Sequence, residues 1–143
     1  MRKVFVDLNV ILDVLDATRS RHTKAKEVLS RAIENDDTLV MSVDMLTNFF
    51  YICHKKFDCH QMLNYMAFIQ ETFVLCDFSK QTLETAMAEY ENICHAQNHH
   101  ADFEDLLQLA CAKEQHCTIF LTEDKGIKDH PEEIAITSLA AFN

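Results

Sequence analysis

One glycine and one proline, Gly126 and Pro131, are all the chain breakers that 143 residues contain. That scarcity excludes a flexible or proline-rich linker and any low-complexity segment, and no internal repeat is visible. No apolar run approaches the roughly 18 to 20 residues of a membrane-spanning helix, so no membrane span is expected. The N-terminus, MRKVFVDLNVILDVLD, opens on a basic pair as a secretory signal does. Asp7 and Asp13 interrupt its apolar stretch, however, and no small-residue cleavage site follows. The expected location is the cytoplasm. CxxC pairs are missing too: the six cysteines (53, 59, 76, 94, 111 and 117) are scattered, and the chain is too large for a disulfide scaffold, so they read as reduced thiols. Cys53-His54 and Cys59-His60 lack zinc-knuckle spacing and read as ordinary helix and loop residues.

Positive charge is also in short supply. Thirteen Lys and Arg against 23 Asp and Glu give a net charge of −10, which argues against strong sequence-independent binding of nucleic acid. Phosphate chemistry stays open, because divalent cations on clustered carboxylates reverse the local field. An acidic surface also suits a basic protein partner.

What is present is a regular alternation of apolar runs and amphipathic stretches. Residues 3–7 (KVFVD) read as a buried strand handing directly to a helix over 9–15. Residues 21–34 form an amphipathic helix with Ala25, Val28, Leu29, Ala32 and Ile33 on one face, ended by Asn35-Asp36-Asp37. TLVMS (38–42) is a second strand, followed by helices from about 44 to 55 and 59 to 71; residues 73–78 are a third strand. Ser79 caps a helix to about His95, and Asp102 caps one from Phe103 to about Gln115. Residues 117–122 give a fourth strand, and 133–137 a weak fifth before a short terminal helix. Continuously apolar strands separated by helices predict a parallel sheet covered on both faces, in a single unit spanning residues 1–143. Ligands of such sheets collect beyond the carboxyl ends of the strands.

Acidic residues fall at that edge. Asp7 closes the first strand and Asp124 follows the fourth, while Asp105 stands in line with Leu109 and Ala112 on the buried stripe of its helix. Each has a plain alternative: a helix cap for Asp7, a turn residue for Asp124, a charge with some cationic partner for Asp105. Three segments delivering an Asp to one edge weigh more than any one of them. Hard divalent cations take oxygen ligands, and Mg²⁺ is held by one or two carboxylates while keeping waters and substrate phosphate oxygens. Asp102 reads first as the cap of its helix, with a ligand role as the lesser alternative.

These residues resemble the PIN domain family, most closely the small stand-alone proteins that include VapC-type toxins of toxin–antitoxin pairs. The resemblance runs through VFVDLNVILDVLD (4–16), the Arg and His region (19–22), VMSVDMLTNFFYI (40–52), DFEDLLQLACA (102–112) and IFLTEDKGIKD (119–129). It implies a three-layer α/β/α fold around a parallel sheet of four to five strands, and Mg²⁺- or Mn²⁺-dependent ribonuclease activity. It also implies dimerisation, and an antitoxin partner that is small and basic. Asp7, Asp105 and Asp124 would be the catalytic, metal-binding acids, with Asn9 and Thr122 hydrogen-bonding behind them. Two positions depart from the family pattern: Asp-Thr-Asn reads Asp7-Leu8-Asn9, and Asn48 stands where many PIN nucleases carry Glu. Asp44, four residues before Asn48, either compensates as a further metal ligand or caps its helix.

The remaining features carry less. Arg19, Arg21, Lys125 and Lys128 are candidate contacts to RNA phosphates. His95, His99 and His100 read as a polar loop before they read as acids or ligands. The run Phe49-Phe50-Tyr51-Ile52 is explained mostly by a helix packed on the sheet. The rival to a ribonuclease is a PIN-fold RNA-binding or regulatory protein weakened in catalysis. A phosphatase or DNA nuclease would reuse the same carboxylates.

Overall fold

A computed structural model of the chain describes residues 1–96, 102–127 and 133–143. Strand β1 (Lys3–Val6) leads into α1 (Leu8–Leu15) and α2 (His22–Glu34); β2 (Thr38–Ser42) leads into α3 (Asp44–Cys53) and α4 (Cys59–Thr72). Strand β3 (Val74–Cys76) is followed by α5 (Lys80–His95) and α6 (Phe103–Glu114), then β4 (Ile119–Leu121) and β5 (Ala135–Thr137). The sheet has the order β3-β2-β1-β4-β5 and every pair is parallel. With right-handed crossovers, the steps from β1 to β2 to β3 put α1 to α4 on one face, and the reversed step from β3 to β4 puts α5 and α6 on the other.

Strand β1 is central, and burial on both faces is why it is apolar without alternation: Val4, Phe5 and Val6 are each 0 % exposed. Phe5 lies in register with Phe120 of β4, and their rings stack at 5.0 Å. Gln108 of α6 accepts a 2.7 Å bond from the buried Ser42 hydroxyl at the end of β2, which fixes α6 against the sheet.

With glycine almost absent, other residues occupy the left-handed backbone positions that end helices. Asp36 after α2 and His116 after α6 both have φ 59°. Around each, the backbone closes the paired bonds of a Schellman motif: Asp36 N to Ile33 O with Asp37 N to Ala32 O, and His116 N to Lys113 O with Cys117 N to Ala112 O.

Several expectations need correction. The C-terminal residues form turns, with Ala141 N bonded to Ser138, and no terminal helix. Ile33 is 49 % exposed, because α2 buries only Ala25, Val28, Leu29 and Ala32. In the aromatic run of α3 only Phe49 packs inward; Phe50, Tyr51 and Ile52 are exposed, so helix–sheet packing accounts for one residue of four. Among the described residues, no helix is long and apolar enough to cross a membrane.

Candidate functional site

The strand order reverses between β1 and β4, and acidic residues follow both strands there: Asp7 directly after β1, and Glu123 and Asp124 shortly after β4. Asp7 donates its backbone N–H to Leu121 O at 3.0 Å, so it stays in register with β4 while also standing at the N-cap of α1. Its Oδ1 accepts from Leu8 N at 2.8 Å and its Oδ2 from the Thr122 hydroxyl at 2.9 Å. Cap and cleft are therefore one position. Thr122 is 3 % exposed, and its oxygen also accepts from Asp124 N at 3.0 Å, which links the two acidic segments through one hydroxyl. Asp124 Oδ1 accepts from Gly126 N at 2.8 Å. A Cβ on Gly126 would stand 3.1 Å from that oxygen, a reason for the chain's single glycine to lie here.

Helix α6 brings the third carboxylate. Asp102 is its cap, accepting from Glu104 N at 2.9 Å, and Asp105 lies half-buried in the first turn. The cap bond reaches Glu104 N and not Asp105, so Asp102 and Asp105 form no capping box. Burial, followed by the charges of Asp102, Asp124, Asp7 and Glu104, pushes the Asp105 carboxyl up to about 7. Burial also raises Asp7, with Asp124 adding to the rise and the bonds from Thr122 and Leu8 opposing it. The carboxylates of β1, β4 and α6 thus act on one another through a shared field.

Sequence reasoning did not single out Glu104, which the structure sets among the same charges. Burial and the charges of Asp102, Asp44 and Asp7 raise it, while Asn48 Nδ2 donates to its Oε1 at 3.1 Å. That bond spans 56 residues, so no local spacing announces it. Asp44 is the first residue of α3 and makes no cap bond; the N-cap there is Val43. Among the described residues, no group of three or more His, Cys, Asp or Glu converges tightly enough to hold a metal through their own atoms alone.

The other candidates separate. Asn9 is exposed on α1. Arg19 Nε is bonded to the buried Asp13 at 2.6 Å, and Arg21 lies 3.9 Å from Glu123, so both guanidinium groups face carboxylates of this chain. Lys125 is exposed beside Asp124, on a cleft of about 670 Å³ that Ile127, Ile136 and Ser138 also line. His95 is exposed and pairs with Glu91 at 3.6 Å. Lys128, His99 and His100 lie outside the described residues.

The sequence model of the PIN domain family matches residues 3–126, which takes in β1, α6, β4 and every acid just described. The chain belongs to the PIN domain family. A curated relative, "Ribonuclease VapC1" of Aquifex aeolicus (strain VF5), is 28 % identical over 135 residues, 94 % of this chain and 90 % of that protein. Among solved structures, a chain of VapBC2 from Rickettsia felis, bound to a DNA fragment from its promoter, superposes with a TM-score of 0.74. The two are 14 % identical, and the match covers 95 % of this chain and 98 % of that one. DNA-bound VapBC from Salmonella typhimurium gives a TM-score of 0.73 at 13 % identity, covering 97 % and 99 %. The parallel five-stranded PIN sheet flanked by helices is thus shared at low identity.

Proposed function

We propose that this chain is a metal-dependent endoribonuclease and the toxin of a toxin–antitoxin pair, acting in the cytoplasm as a single PIN unit over residues 1–143. The observation that carries the reading is the hydrogen-bonded link from Asp7 through Thr122 to Asp124 beyond the ends of β1 and β4, with Asp105 of α6 raised to about 7 by burial first and by these and neighbouring charges after it. The VapC ribonuclease relative and the VapBC complexes among the structural neighbours support it. Exposed Phe50, Tyr51 and Ile52 on α3, with Leu63 on α4, offer apolar surface for a protein partner. On this reading the partners are a small basic antitoxin and a second copy of the chain.

The donor set fits a hard divalent cation, Mg²⁺ or Mn²⁺: every candidate is a carboxylate, and a cation would oppose the burial and the like charges that raise the Asp105 carboxyl. One or two carboxylates suffice for Mg²⁺, so the lack of a tight group of three is compatible with it. Asp7, Asp105 and Asp124 would hold the ion, with Asp102 and Asp44 in reach of the same field through Asp105 and Glu104. When bound, it would supply Lewis-acid stabilisation of the scissile phosphate and activation of water. The chain's own part is positioning. Leu8 N and Thr122 fix both oxygens of Asp7, Gly126 N fixes one of Asp124, and Ser42 fixes α6 through Gln108.

Incubating a mixed RNA pool with Mg²⁺, Mn²⁺ or EDTA tests the proposal. Cutting is expected with metal, not with EDTA, and not by Asp7→Asn. A second reading, a PIN-fold RNA-binding or regulatory protein without useful turnover, is favoured by Asn48 and the missing tight triad. It predicts RNA binding without cleavage under any metal, and activity gained by Asn48→Glu.

A further inference from the structure

We infer that Cys76 and Cys111 are a modification site: a thiol pair that a hydroperoxide converts to a disulfide, linking β3 covalently to α6. The inference is independent of any metal or RNA.

All six cysteines are free, and two of them meet. The sulfurs of Cys76 and Cys111 stand 2.7 Å apart, in side chains only 4 % and 0 % exposed. Cys76 ends β3 and lies in register with Ser42 at the end of β2. Their partners on α6 are Cys111 and Gln108, an i, i+3 pair on one face of that helix. The two contacts are therefore neighbouring rungs of one helix–sheet seam. The first is a hydrogen bond between buried polar groups, and the second is a pair of thiols. An S–H group is a weak donor, so a thiol pair is a poor hydrogen-bonded anchor. The other acceptors open to it, Met41 O at 3.4 Å from Cys76 and Asp77 O at 3.9 Å from Cys111, add little. Two sulfurs in contact are well placed to bond to each other: a disulfide needs about 2.05 Å, so closure takes about 0.7 Å of movement. The other use of paired thiols is a structural zinc, which takes four ligands. Among the described residues, no group of three or more His, Cys, Asp or Glu could hold a metal.

Cys76 lies on an edge strand between the exposed Leu75 and Asp77, which gives a small oxidant a short way in. The contact also divides the roles. With Cys111 donating, the Cys76 thiol is held below its ordinary value, against burial and the charges of Asp77 and Glu114; the same contact and burial push Cys111 up. Cys76 is thus the attacking thiolate. Its sulfur takes the terminal oxygen of the hydroperoxide, the O–O bond breaks, and the leaving oxygen takes up the proton that Cys76 gave off. The Cys111 sulfur then attacks the Cys76 sulfenic acid, the S–O bond breaks, and water leaves with the Cys111 proton. The two sulfurs lose two electrons, and the hydroperoxide is reduced to an alcohol, or to water if it is hydrogen peroxide. The new bond holds the helix that presents Asp105.

The test treats the native chain with hydrogen peroxide, blocks the remaining thiols with iodoacetamide under denaturing conditions, and maps the unreduced peptides. The expected result is a linked pair of peptides holding Cys76 and Cys111. Tm should stand about 5–10 °C above that of the reduced chain, as for a cross-link closing a loop of this size, and dithiothreitol should reverse the gain. In Cys111→Ala, Cys76 should stop at the sulfenic acid, captured by dimedone, with no such gain in Tm; the map of the native chain decides the matter whether or not that variant folds. Peptides in which Cys76 and Cys111 both carry the alkyl label, while the exposed Cys59 and Cys94 are oxidised, would overturn the inference. So would a link from either buried thiol to a different cysteine.

Discussion

At the scale of single residues, the acids of the site differ in how far their neighbours restrain them. Asp105 has little to offset its burial and the surrounding charges, so its folded pKa lies near 7 against an unfolded value of 3.8. A carboxyl raised on folding binds more protons in the native than in the unfolded state between those values. Its contribution is therefore fully present below about pH 4 and is lost as pH rises towards 7. Asp7 and Glu104 are raised in the same direction. In EDTA, thermal stability should accordingly fall between pH 5 and pH 7.5, and Asp105→Asn should flatten that fall and raise Tm at neutral pH. An unchanged slope in the variant would mean that Asp105 ionises freely. Thr122 makes a complementary case. Thr122→Val deletes the oxygen serving both Asp7 Oδ2 and Asp124 N, and should cost about 1–3 kcal/mol in denaturant melts. Near-neutral stability would show that water replaces the hydroxyl.

At the scale of elements, the strands could be read from the sequence because burial on both faces leaves a run of apolar residues; β1, β2 and β4 lie within their expected ranges. The caps were legible where chemistry is local. Ser79 caps α5, where it closes a capping box, and Asp102 caps α6; the box that Asp58 closes on α4 was not read from the sequence. The elements misjudged are those decided by tertiary contact. Ile33 continues an apolar pattern, but the face it points along is left uncovered. Asp44 resembles a cap, yet the backbone is already helical at Val43. Helix α6 carries Asp105, and its anchor is the buried Ser42–Gln108 bond between residues 66 apart, which no spacing reveals. Ser42→Ala leaves the Gln108 oxygen unpaired and should cost about 1–3 kcal/mol. Tm should drop by about 3 °C or more. RNA cleavage should fall further than the small loss of folded chain explains, because the helix that aims Asp105 loosens. Cleavage that merely tracks the folded fraction would show the anchor to be structural only.

At the scale of the whole molecule, topology explains why acids distant in sequence could be singled out together as a candidate site. The order β3-β2-β1-β4-β5 puts the ends of β1 and β4 side by side, so acids 117 residues apart in sequence, Asp7 and Asp124, are joined through Thr122. A reader of the sequence can find strand ends and the residues that follow them, and the general rule for parallel sheets supplies the rest. What could not be read is how far each basic residue is already committed: Arg19 to Asp13, Lys56 to Asp16 and Arg2 to Asp37. With a net charge of −10, RNA affinity should depend weakly on salt. Anisotropy titrations with Asp7→Asn should give a log–log slope no steeper than about −2, corresponding to few neutralised phosphates. A steep slope would point to a basic surface formed only on assembly.

The central claim is that acids from β1, α6 and β4 form one catalytic site. Single-turnover RNA cleavage by Asp7→Asn, Asp105→Asn, Asp124→Asn and the triple variant in Mn²⁺ tests it directly. Each single change should lower the rate by about a hundredfold or more, the scale on which positioned charges act. The triple variant should be little worse than any single one, as for groups that work as a unit. Metal-dependent cutting that survives all three changes would contradict the account.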